Sequence, residues 1–199
     1  MAGKLMLASA SQSRRTLMEN AGLQFETEAA RIDERAAEAG IAGEPLPPDR
    51  LALELARLKA RDVASRNPGA LVIGCDQTMS LDDIVFHKPA DIDEARRNLK
   101  TLRGKTHRLN SAVVLVRDNR VLWENVSIAE LSMRAFSDEF LERYLERTGD
   151  AVLKSVGCYQ LEAEGIRLFK GISGDYFTIL GLPLLPLLEE LRTLGEIDG

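Results

Sequence analysis

The sequence has few of the features that mark exported or membrane-anchored proteins. Its two cysteines, Cys75 and Cys158, are far apart in apolar contexts, so they form neither a CxxC pair nor a disulfide framework. The longest apolar run, residues 179–188, contains two prolines and is only about half as long as a membrane span. The apolar stretch at residues 5–8 is shorter than the hydrophobic region of a secretory signal. We therefore expect a cytoplasmic protein with no membrane anchor.

An excess of positive charge is also lacking. The formal net charge is -5 and the isoelectric point is about 5.2, so no basic field draws the protein onto nucleic acid or acidic membranes. We expect no nucleic-acid partner, and any phosphate site must be local. With 45% apolar and 29% charged residues, the composition is that of a globular protein. The length of 199 residues predicts a single domain over residues 1–199.

Short apolar runs alternate with segments of helical spacing, which predicts an α/β fold. The expected strands are 4–8, 25–30, 71–75, 109–116, 121–126, 128–134, 167–170 and 176–180. The expected helices follow the hydroxyls of 9–13, begin at the caps Asp49 and Ser137, cover 91–102, and start from Pro183. The expected turns and loops lie at 32–35, 40–48, 81–84 and 118–119.

A cluster of hydroxyl and guanidinium groups follows the first strand. It contains Ser9, Ser11, Arg14 and Arg15 at the predicted start of a helix. A helix amino terminus offers unpaired N–H groups and partial positive charge, and arginine binds phosphate through paired donors. The cluster is therefore a candidate phosphate site. The alternative is a capped surface helix whose arginines are solvated.

Two carboxylates form a second candidate cluster. Glu34 follows the second strand, and Asp76 follows the buried run 71–75. The carboxyl ends of strands in α/β sheets face the crevice where ligands bind. Two such carboxylates suit Mg2+ beside a polyphosphate, because this ion takes a few protein carboxylates together with waters and phosphate oxygens. Alternatively, Asp76 is a turn residue satisfied by backbone amides.

Lysines and a histidine complete the polar candidates. Lys59 and Lys88 are placed to neutralise charge on a departing pyrophosphate, although most lysines are solvated surface residues. His107 is a candidate base, ligand or hydrogen bonder at a strand edge, and we favour the last. A nucleophilic pair of Cys75 with His107 is disfavoured, because a cysteine inside a buried apolar strand is usually inert.

Taken in order, these segments resemble the Maf family of nucleoside triphosphate pyrophosphatases. Its members carry an SxSxRR-like opening, a GxD[TQ] strand end, a KP pair, an LxGKTH segment and a late GDYxxxxGLP. The matching segments of this sequence are Ser9-Ala-Ser-Gln-Ser-Arg14, Gly74-Cys-Asp-Gln77, Lys88-Pro89, Leu102-Arg-Gly-Lys-Thr-His107 and Gly174-Asp-Tyr-Phe-Thr-Ile-Leu-Gly-Leu-Pro183. The resemblance spans nearly the whole chain.

The resemblance implies a Maf/ITPase-like fold, with a mixed central sheet flanked by helices and two lobes around an active-site cleft. It implies a cytoplasmic homodimer that uses a divalent metal cation, Mg2+ or Mn2+, to hydrolyse a nucleoside triphosphate to the monophosphate and pyrophosphate. Asp76 would be the general base or the metal-bound activator of water. Glu34 and Asp76 would hold the metal, and Arg14 and Lys88 the triphosphate.

Three positions set the choice of base in this family, and they fall at Ser13, Gln77 and Glu162. Pyrimidine-preferring relatives resemble Arg, Thr and Gln at these positions, whereas relatives acting on 7-methylguanosine triphosphate resemble Trp, Gln and Glu. Gln77 and Glu162 match the second group. The 7-methylguanine ring is cationic, so the carboxylate of Glu162 suits it, but Ser13 lacks an aromatic face to stack on that cation.

Two functions without catalysis remain as alternatives. The family name derives from a suggested effect on cell septation, which would make the chain a regulatory binding module. The chain would otherwise be a sensor that binds a nucleoside triphosphate without turnover. The presence of both Asp76 and Glu34 beside basic groups favours catalysis.

Overall fold

A computed structural model describes residues 4–40, 46–82 and 84–198. Most of the predicted loop at 40–48 lies outside these residues. The chain divides into two compact units: unit 1 comprises Met1–Gln77, Asn110–Ile128 and Tyr176–Gly199, and unit 2 comprises Thr78–Leu109 and Ala129–Asp175. The single domain predicted over residues 1–199 stays a prediction, and each unit has its own buried core.

Within the described residues the strands form one seven-stranded mixed sheet, which confirms the predicted α/β class. The strands are β1 (Leu5–Ala8), β2 (Glu26–Thr27), β3 (Leu71–Leu81), β4 (Ile84–Phe86), β5 (Thr106–Arg117), β6 (Arg120–Met133) and β7 (Phe169–Ser173). Their order is β2-β1-β3-β5-β6-β7, and β4 pairs with β3. β1 is parallel to β2 and β3, whereas β4 is antiparallel to β3 and β7 is antiparallel to β6.

Seven α-helices occupy the described residues. They are α1 (Gln12–Asn20), α2 (Glu34–Gly40), α3 (Pro48–Arg66), α4 (Ile92–Leu102), α5 (Asp138–Thr148), α6 (Tyr176–Ile179) and α7 (Leu184–Thr193). Two 3-10 helices cover Gly149–Lys154 and Glu164–Leu168. No helix in the described part of the chain is long and apolar enough to cross a membrane.

The core of unit 1 follows the two-residue alternation of its strands. One face of β1, β3 and β5 packs with α1 and α7, and the other packs with α3. The first face carries Leu5, Leu7, Leu71, Ile73, Cys75, Val113 and Leu115, and the second carries Met6, Ala8, Val72, Ala112, Val114 and Val116. Strands covered on both faces read as continuous apolar runs, which is why 71–75 is apolar throughout.

Helix α3 lies unusually close to β3 at Gly74. A Cβ atom on residue 74 would lie 2.3 Å from the carbonyl oxygen of Ala56 and 2.6 Å from the Cβ of Ala60. Only glycine fits there, because real Cβ atoms do not approach other atoms so closely. A row of alanines on α3, completed by Ala52 and Ala64, presents small side chains to the sheet. The close approach fixes the height of α3 over β3.

Local sequence signals explain most helix starts. The side chains of Ser11, Asp91 and Ser137 each accept a hydrogen bond from the backbone N–H three residues further on, as N-caps do. The predicted cap at Asp49 is wrong, because α3 begins at Pro48. Proline suits the first helical position, where its missing N–H costs nothing, and Asp49 lies in the first turn.

Several predicted strand bounds are corrected. The strand predicted at 71–75 extends to Leu81, which pairs with Ile84 of β4, and the turn predicted at 81–84 lies partly outside the described residues. The strands predicted at 121–126 and 128–134 are a single strand, β6. The turn before it is confirmed, since Asp118 and Asn119 have φ values of 47° and 62°, as the favoured hairpin turn requires. The strand predicted at 25–30 is shorter, at Glu26–Thr27, and that at 167–170 starts later, at Phe169.

Two predictions of local structure are wrong. The acidic turn at 32–35 is the start of α2, and Asp33 Oδ1 accepts from the N–H of Ala36. The strand predicted at 176–180 is instead the short helix α6, Tyr176–Ile179, followed by a turn. The aromatic and β-branched side chains of these residues favour a strand, but tertiary contacts override this weak preference. The turn at Gly181, with φ of 90°, ends the helix.

His107 belongs to the core of unit 2. Its Nε2 lies 2.7 Å from the hydroxyl of Tyr159, and its ring packs against Tyr159 and Phe169. Only 1% of the residue is exposed, and Nδ1 has no hydrogen-bond partner within the described residues. Burial lowers the pKa of His107 to about 4. The histidine is a hydrogen bonder, as favoured, but it lies inside unit 2 on β5 and is not solvent-exposed.

We predict that Gly74→Ala destabilises the protein by about 1–3 kcal/mol, because the added methyl must push α3 away from β3. The free energy of unfolding in urea measures this loss. Gly171→Ala is the matched control, since a Cβ at position 171 meets nothing within 4 Å, and we expect a change within about 0.5 kcal/mol. Equal losses in the two variants would contradict the close approach at Gly74.

We predict that, because His107 is buried, the free energy of unfolding decreases as the pH falls from 6.5 towards 4. The folded-state pKa of this histidine lies below the ordinary value, so in this window the unfolded chain takes up a proton that the folded protein excludes. His107→Gln should remove this component, which amounts to at most about 3 kcal/mol. Urea unfolding across a pH series measures the slope.

The exposed His87 supplies the control for that experiment. His87→Gln removes the same kind of ring from an exposed position outside the buried core, and we expect it to keep the wild-type dependence on pH. If His107→Gln keeps the same slope as the wild type, burial of the neutral imidazole is not the cause.

Candidate active site

The candidate site of unit 1 lies where β1 ends beside β3. The register pairs Ala8, the last residue of β1, with Gly74 of β3. The sequence predicted Asp76 at the carboxyl end of this strand. β3 continues past this point, so Asp76 lies within the strand. Because β1 stops two residues short of it, Asp76 is brought level with the loop that leads from β1 into α1.

A buried ion pair marks this site. Lys59 Nζ donates to Oδ1 of Asp76 and lies 2.8 Å from Oε1 of Glu34. Lys59 and Asp76 are 8% and 7% exposed, whereas 56% of the Glu34 side chain is exposed. From the sequence, Lys59 was expected to neutralise charge on a departing pyrophosphate. In this structure its ammonium group contacts both predicted carboxylates. Asp76 is therefore held by a charged side chain and not by the backbone amides of a turn.

The packing of α3 on β3 explains how Lys59 reaches Asp76. Residues 74 and 76 project from the same face of β3, because side chains alternate along a strand. Helix α3 covers that face. Lys59 directly precedes Ala60, which is one of the two alanines that crowd Gly74. The lysine stem is consequently buried along the helix and its ammonium group meets the carboxylate.

Arg14 connects three parts of unit 1. Its Nε donates to the carbonyl of Gly181 at 2.8 Å, and Nη1 donates to Ser9 Oγ at 3.2 Å and to the carbonyl of Cys75 at 3.0 Å. These hydrogen bonds fix the plane of the guanidinium and do not use Nη2. Arg14 is thus ordered beside the serines of the predicted phosphate cluster and is not a solvated surface residue.

The remaining members of that cluster have different surroundings. Ser11 caps α1, and its own N–H donates to Ser9 Oγ at 3.2 Å. Arg15 is exposed and pairs with Glu19 at 2.9 Å. The alternative of an exposed arginine on a capped surface helix thus describes Arg15. Its predicted contact with phosphate stays a prediction.

Gln77 projects to the opposite face of β3 from Asp76. Its Nε2 lies 2.8 Å from Ser111 Oγ and 3.0 and 3.1 Å from the carbonyls of Thr178 and Ile179. Ser111 Oγ in turn donates to the Thr178 carbonyl at 2.7 Å. Because Nε2 faces acceptors, the orientation of the amide is set and Oε1 points away from them as an acceptor. Sequence reasoning missed Ser111, although a hydroxyl in the apolar run of β5 was a signal.

The other predicted site residues are half-buried or exposed. Ser13 is half-buried in the first turn of α1. Lys88 and Glu162 are exposed and belong to unit 2, whereas Asp76 belongs to unit 1. Their convergence on Asp76 stays a prediction.

The segment that carries Glu162 is held by nearby hydrogen bonds. Ser155 Oγ donates to the carbonyl of Tyr159 at 2.6 Å and accepts from its N–H at 3.0 Å. The hydroxyl of Tyr144 donates to the carbonyl of Cys158, which has a φ of 58°. The backbone before Glu162 is therefore ordered within unit 2.

The cysteines do not support nucleophilic chemistry. Both are free and buried. Burial raises the pKa of Cys75 to about 11 and that of Cys158 to about 12, so both thiols stay protonated at neutral pH. Across residues 4–40, 46–82 and 84–198, no three His, Cys, Asp or Glu side chains come together as a metal site. Two carboxylates, those of Glu34 and Asp76, remain the candidate ligands.

Comparison with known proteins identifies the family. Residues 4–194 match a family model described as Maf-like protein. The chain is 61% identical to a 7-methyl-GTP pyrophosphatase of Rhizobium johnstonii and 60% identical to one of Rhizobium etli, and each match covers 100% of both chains. It is 51% identical to a nucleoside triphosphate pyrophosphatase of Caulobacter vibrioides over 96% of each chain. With the family model matched from β1 to the end of α7, this chain belongs to the Maf family.

Proposed function

We propose that this protein is a hydrolase that converts a nucleoside triphosphate to the monophosphate and pyrophosphate. The observation that carries the proposal is the buried Asp76, whose partner Lys59 also pairs with Glu34, beside the ordered Arg14 of unit 1. Membership of the Maf family and the names of its relatives support the same reaction.

In the proposed reaction the oxygen of a water molecule bonds to the α-phosphorus. The bond from this phosphorus to the oxygen that bridges to the β-phosphate breaks, and its electron pair leaves with pyrophosphate. Asp76 orients the water and accepts its proton. Arg14, Ser9, Ser11 and the amino terminus of α1 hold phosphate oxygens.

Further cations stabilise the charge on the leaving pyrophosphate. In the proposed complex, Lys59 and Lys88 take this role, and Arg15, which is exposed near the start of α1, assists them. A fixed positive charge near developing negative charge lowers the barrier, because it requires little reorganisation during the reaction.

The two carboxylates fit a divalent cation. Asp76 Oδ1 and Glu34 Oε1 already contact one cation, the ammonium group of Lys59. Two carboxylates with waters and phosphate oxygens are a donor set that suits Mg2+ or Mn2+. When bound, such an ion neutralises phosphate charge and lowers the pKa of bound water. Glu34 and Asp76 would hold it.

We propose 7-methyl-GTP as a substrate. The Rhizobium relatives carry that name. Gln77 presents an acceptor oxygen, and the exposed carboxylate of Glu162 attracts a cationic 7-methylguanine ring. Ser13 supplies a small side chain at the third position. The two free cysteines fit a reducing cytoplasm as the place of this reaction.

The role of Asp76 is tested by Asp76→Asn. We expect kcat to fall by at least about 100-fold while nucleotide binding persists, because the amide keeps the size of the side chain but neither accepts the proton nor binds the metal as well. Pyrophosphate and monophosphate release measures turnover with Mg2+, with Mn2+ and with chelator, and calorimetry measures binding.

Asp93→Asn is the control for Asp76→Asn, since Asp93 is a surface residue of α4 paired with Arg96. It should leave turnover unchanged. Unchanged turnover in Asp76→Asn would disprove the catalytic role of Asp76. Nucleotide binding by the wild type without any turnover would favour the sensor.

The choice of base is tested by initial rates on a panel of nucleotides. We expect 7-methyl-GTP to be used better than UTP or dTTP. Glu162→Gln should lower kcat/KM for 7-methyl-GTP by about fivefold, since an ion pair at an exposed position is worth about 1 kcal/mol. GTP, whose base is uncharged, is the control substrate, and its kcat/KM should fall less in Glu162→Gln. A clear preference for pyrimidines would overturn the proposed substrate.

A further inference from the structure

Lys59 occupies the position of a cation between the two candidate metal ligands. Its Nζ contacts Oδ1 of Asp76 and lies 2.8 Å from Oε1 of Glu34. The packing of α3 at Gly74 holds the stem of this lysine against the sheet. The position of the ammonium group is thus fixed by the packing of α3 on β3.

A divalent cation that binds the same carboxylate oxygens is repelled by the ammonium group that already contacts them. The single charge of the ammonium group and the two charges of the metal ion would then lie within a few ångströms of each other. In this poorly solvated position their repulsion is weakly screened. Conversely, removal of the ammonium alone would leave the carboxylate of Asp76 buried and unpaired, which is costly. The site therefore needs one cation at a time on the buried oxygen.

We propose that Lys59 is the resident counter-cation of Asp76 and Glu34 in the metal-free protein, and that a bound divalent cation displaces its ammonium group from Asp76. The displaced ammonium then becomes available to the phosphate oxygens of the substrate. This inference rests on the proposed function for its metal and its substrate, and it assigns Lys59 a second role before substrate binds.

The exchange has two measurable consequences. Lys59 weakens metal binding, because the ion must compete with a charge already in place. Lys59 also stabilises the metal-free fold, because it neutralises a buried carboxylate. A lysine that acts only on the leaving group would produce neither effect in the absence of nucleotide.

The test compares Lys59→Met with the wild type in the absence of nucleotide. Methionine keeps a flexible apolar stem and removes the charge. We expect Lys59→Met to bind Mn2+ at least about tenfold more tightly than the wild type. A tenfold change in affinity corresponds to about 1.4 kcal/mol, which is the size of one modest interaction between charges. The signal of free Mn2+ in electron paramagnetic resonance measures the affinity. The Tm of the variant should be lower than that of the wild type in chelator, and Mn2+ should raise it by more.

Lys4→Met is the matched control. Lys4 belongs to the same unit, loses the same charge on mutation and forms an exposed ion pair with Glu26. We expect its Mn2+ affinity and its response of Tm to Mn2+ to equal those of the wild type. Tightening of similar size in Lys4→Met would show a general effect of net charge and would overturn the proposal.

A second variant covers the case in which Lys59→Met does not fold. Lys59→Gln keeps a hydrogen-bond donor for Asp76 but not the charge, and it should also bind Mn2+ more tightly than the wild type. Unchanged or weaker Mn2+ binding in the folded variant overturns the exchange.

The outcome is separate from that of the proposed function. If the wild type releases pyrophosphate with metal but Mn2+ affinity is insensitive to Lys59, the exchange is wrong and the function stands. If no nucleotide is hydrolysed but loss of Lys59 tightens Mn2+ binding, the exchange stands and the function is wrong.

Discussion

The arrangement of the site depends on the contact between α3 and β3 at Gly74. A glycine opposite Ala56 and Ala60 lets a helix backbone approach the sheet more closely than any side chain would allow. The same approach sets the height at which Lys59 leaves the helix, and hence the point where its ammonium group meets Asp76. A packing constraint in the core therefore determines an electrostatic contact in the site. Such a contact tolerates little displacement of the helix, because protein interiors are close-packed.

The alternation of side chains along β3 gives neighbouring residues different tasks. Asp76 faces α3 and meets a cation, while Gln77 faces the carbonyls of α6 and is fixed by hydrogen bonds. One strand thus presents a carboxylate on one face and an oriented amide on the other. A shift of one residue in the pairing of β3 would exchange these faces, so the register Ala8 with Gly74 is as important to the site as the identity of either side chain.

The sequence predicted those features that depend on local signals. The capping hydroxyls at 9–13, the cap at Ser137 and the buried strand before Asp76 follow from residue types and spacing, and the structure confirms them. Contacts between distant segments were not predictable in this way. Nothing local indicates that the Lys59 ammonium lies between two carboxylates, or that residues 176–179 form a helix despite their strand-forming composition. Gly74 within an apolar run was the available sign of a close backbone approach.

The buried carboxylate explains why the site combines acidic and basic residues in the way it does. Asp76 is useful to a polyphosphate reaction only if it is ionised and oriented, yet an ionised carboxylate with 7% exposure is unstable without a partner. Lys59 is that partner in the structure, and Glu34, which is more exposed, shares the same ammonium group. A carboxylate pair bridged by a lysine from the adjoining helix can exist before any ligand arrives. Because the lysine brings one positive charge to two negative ones, the cluster keeps a net attraction for cations. We propose that this residual negative charge attracts a divalent ion even though Lys59 already contacts both carboxylates.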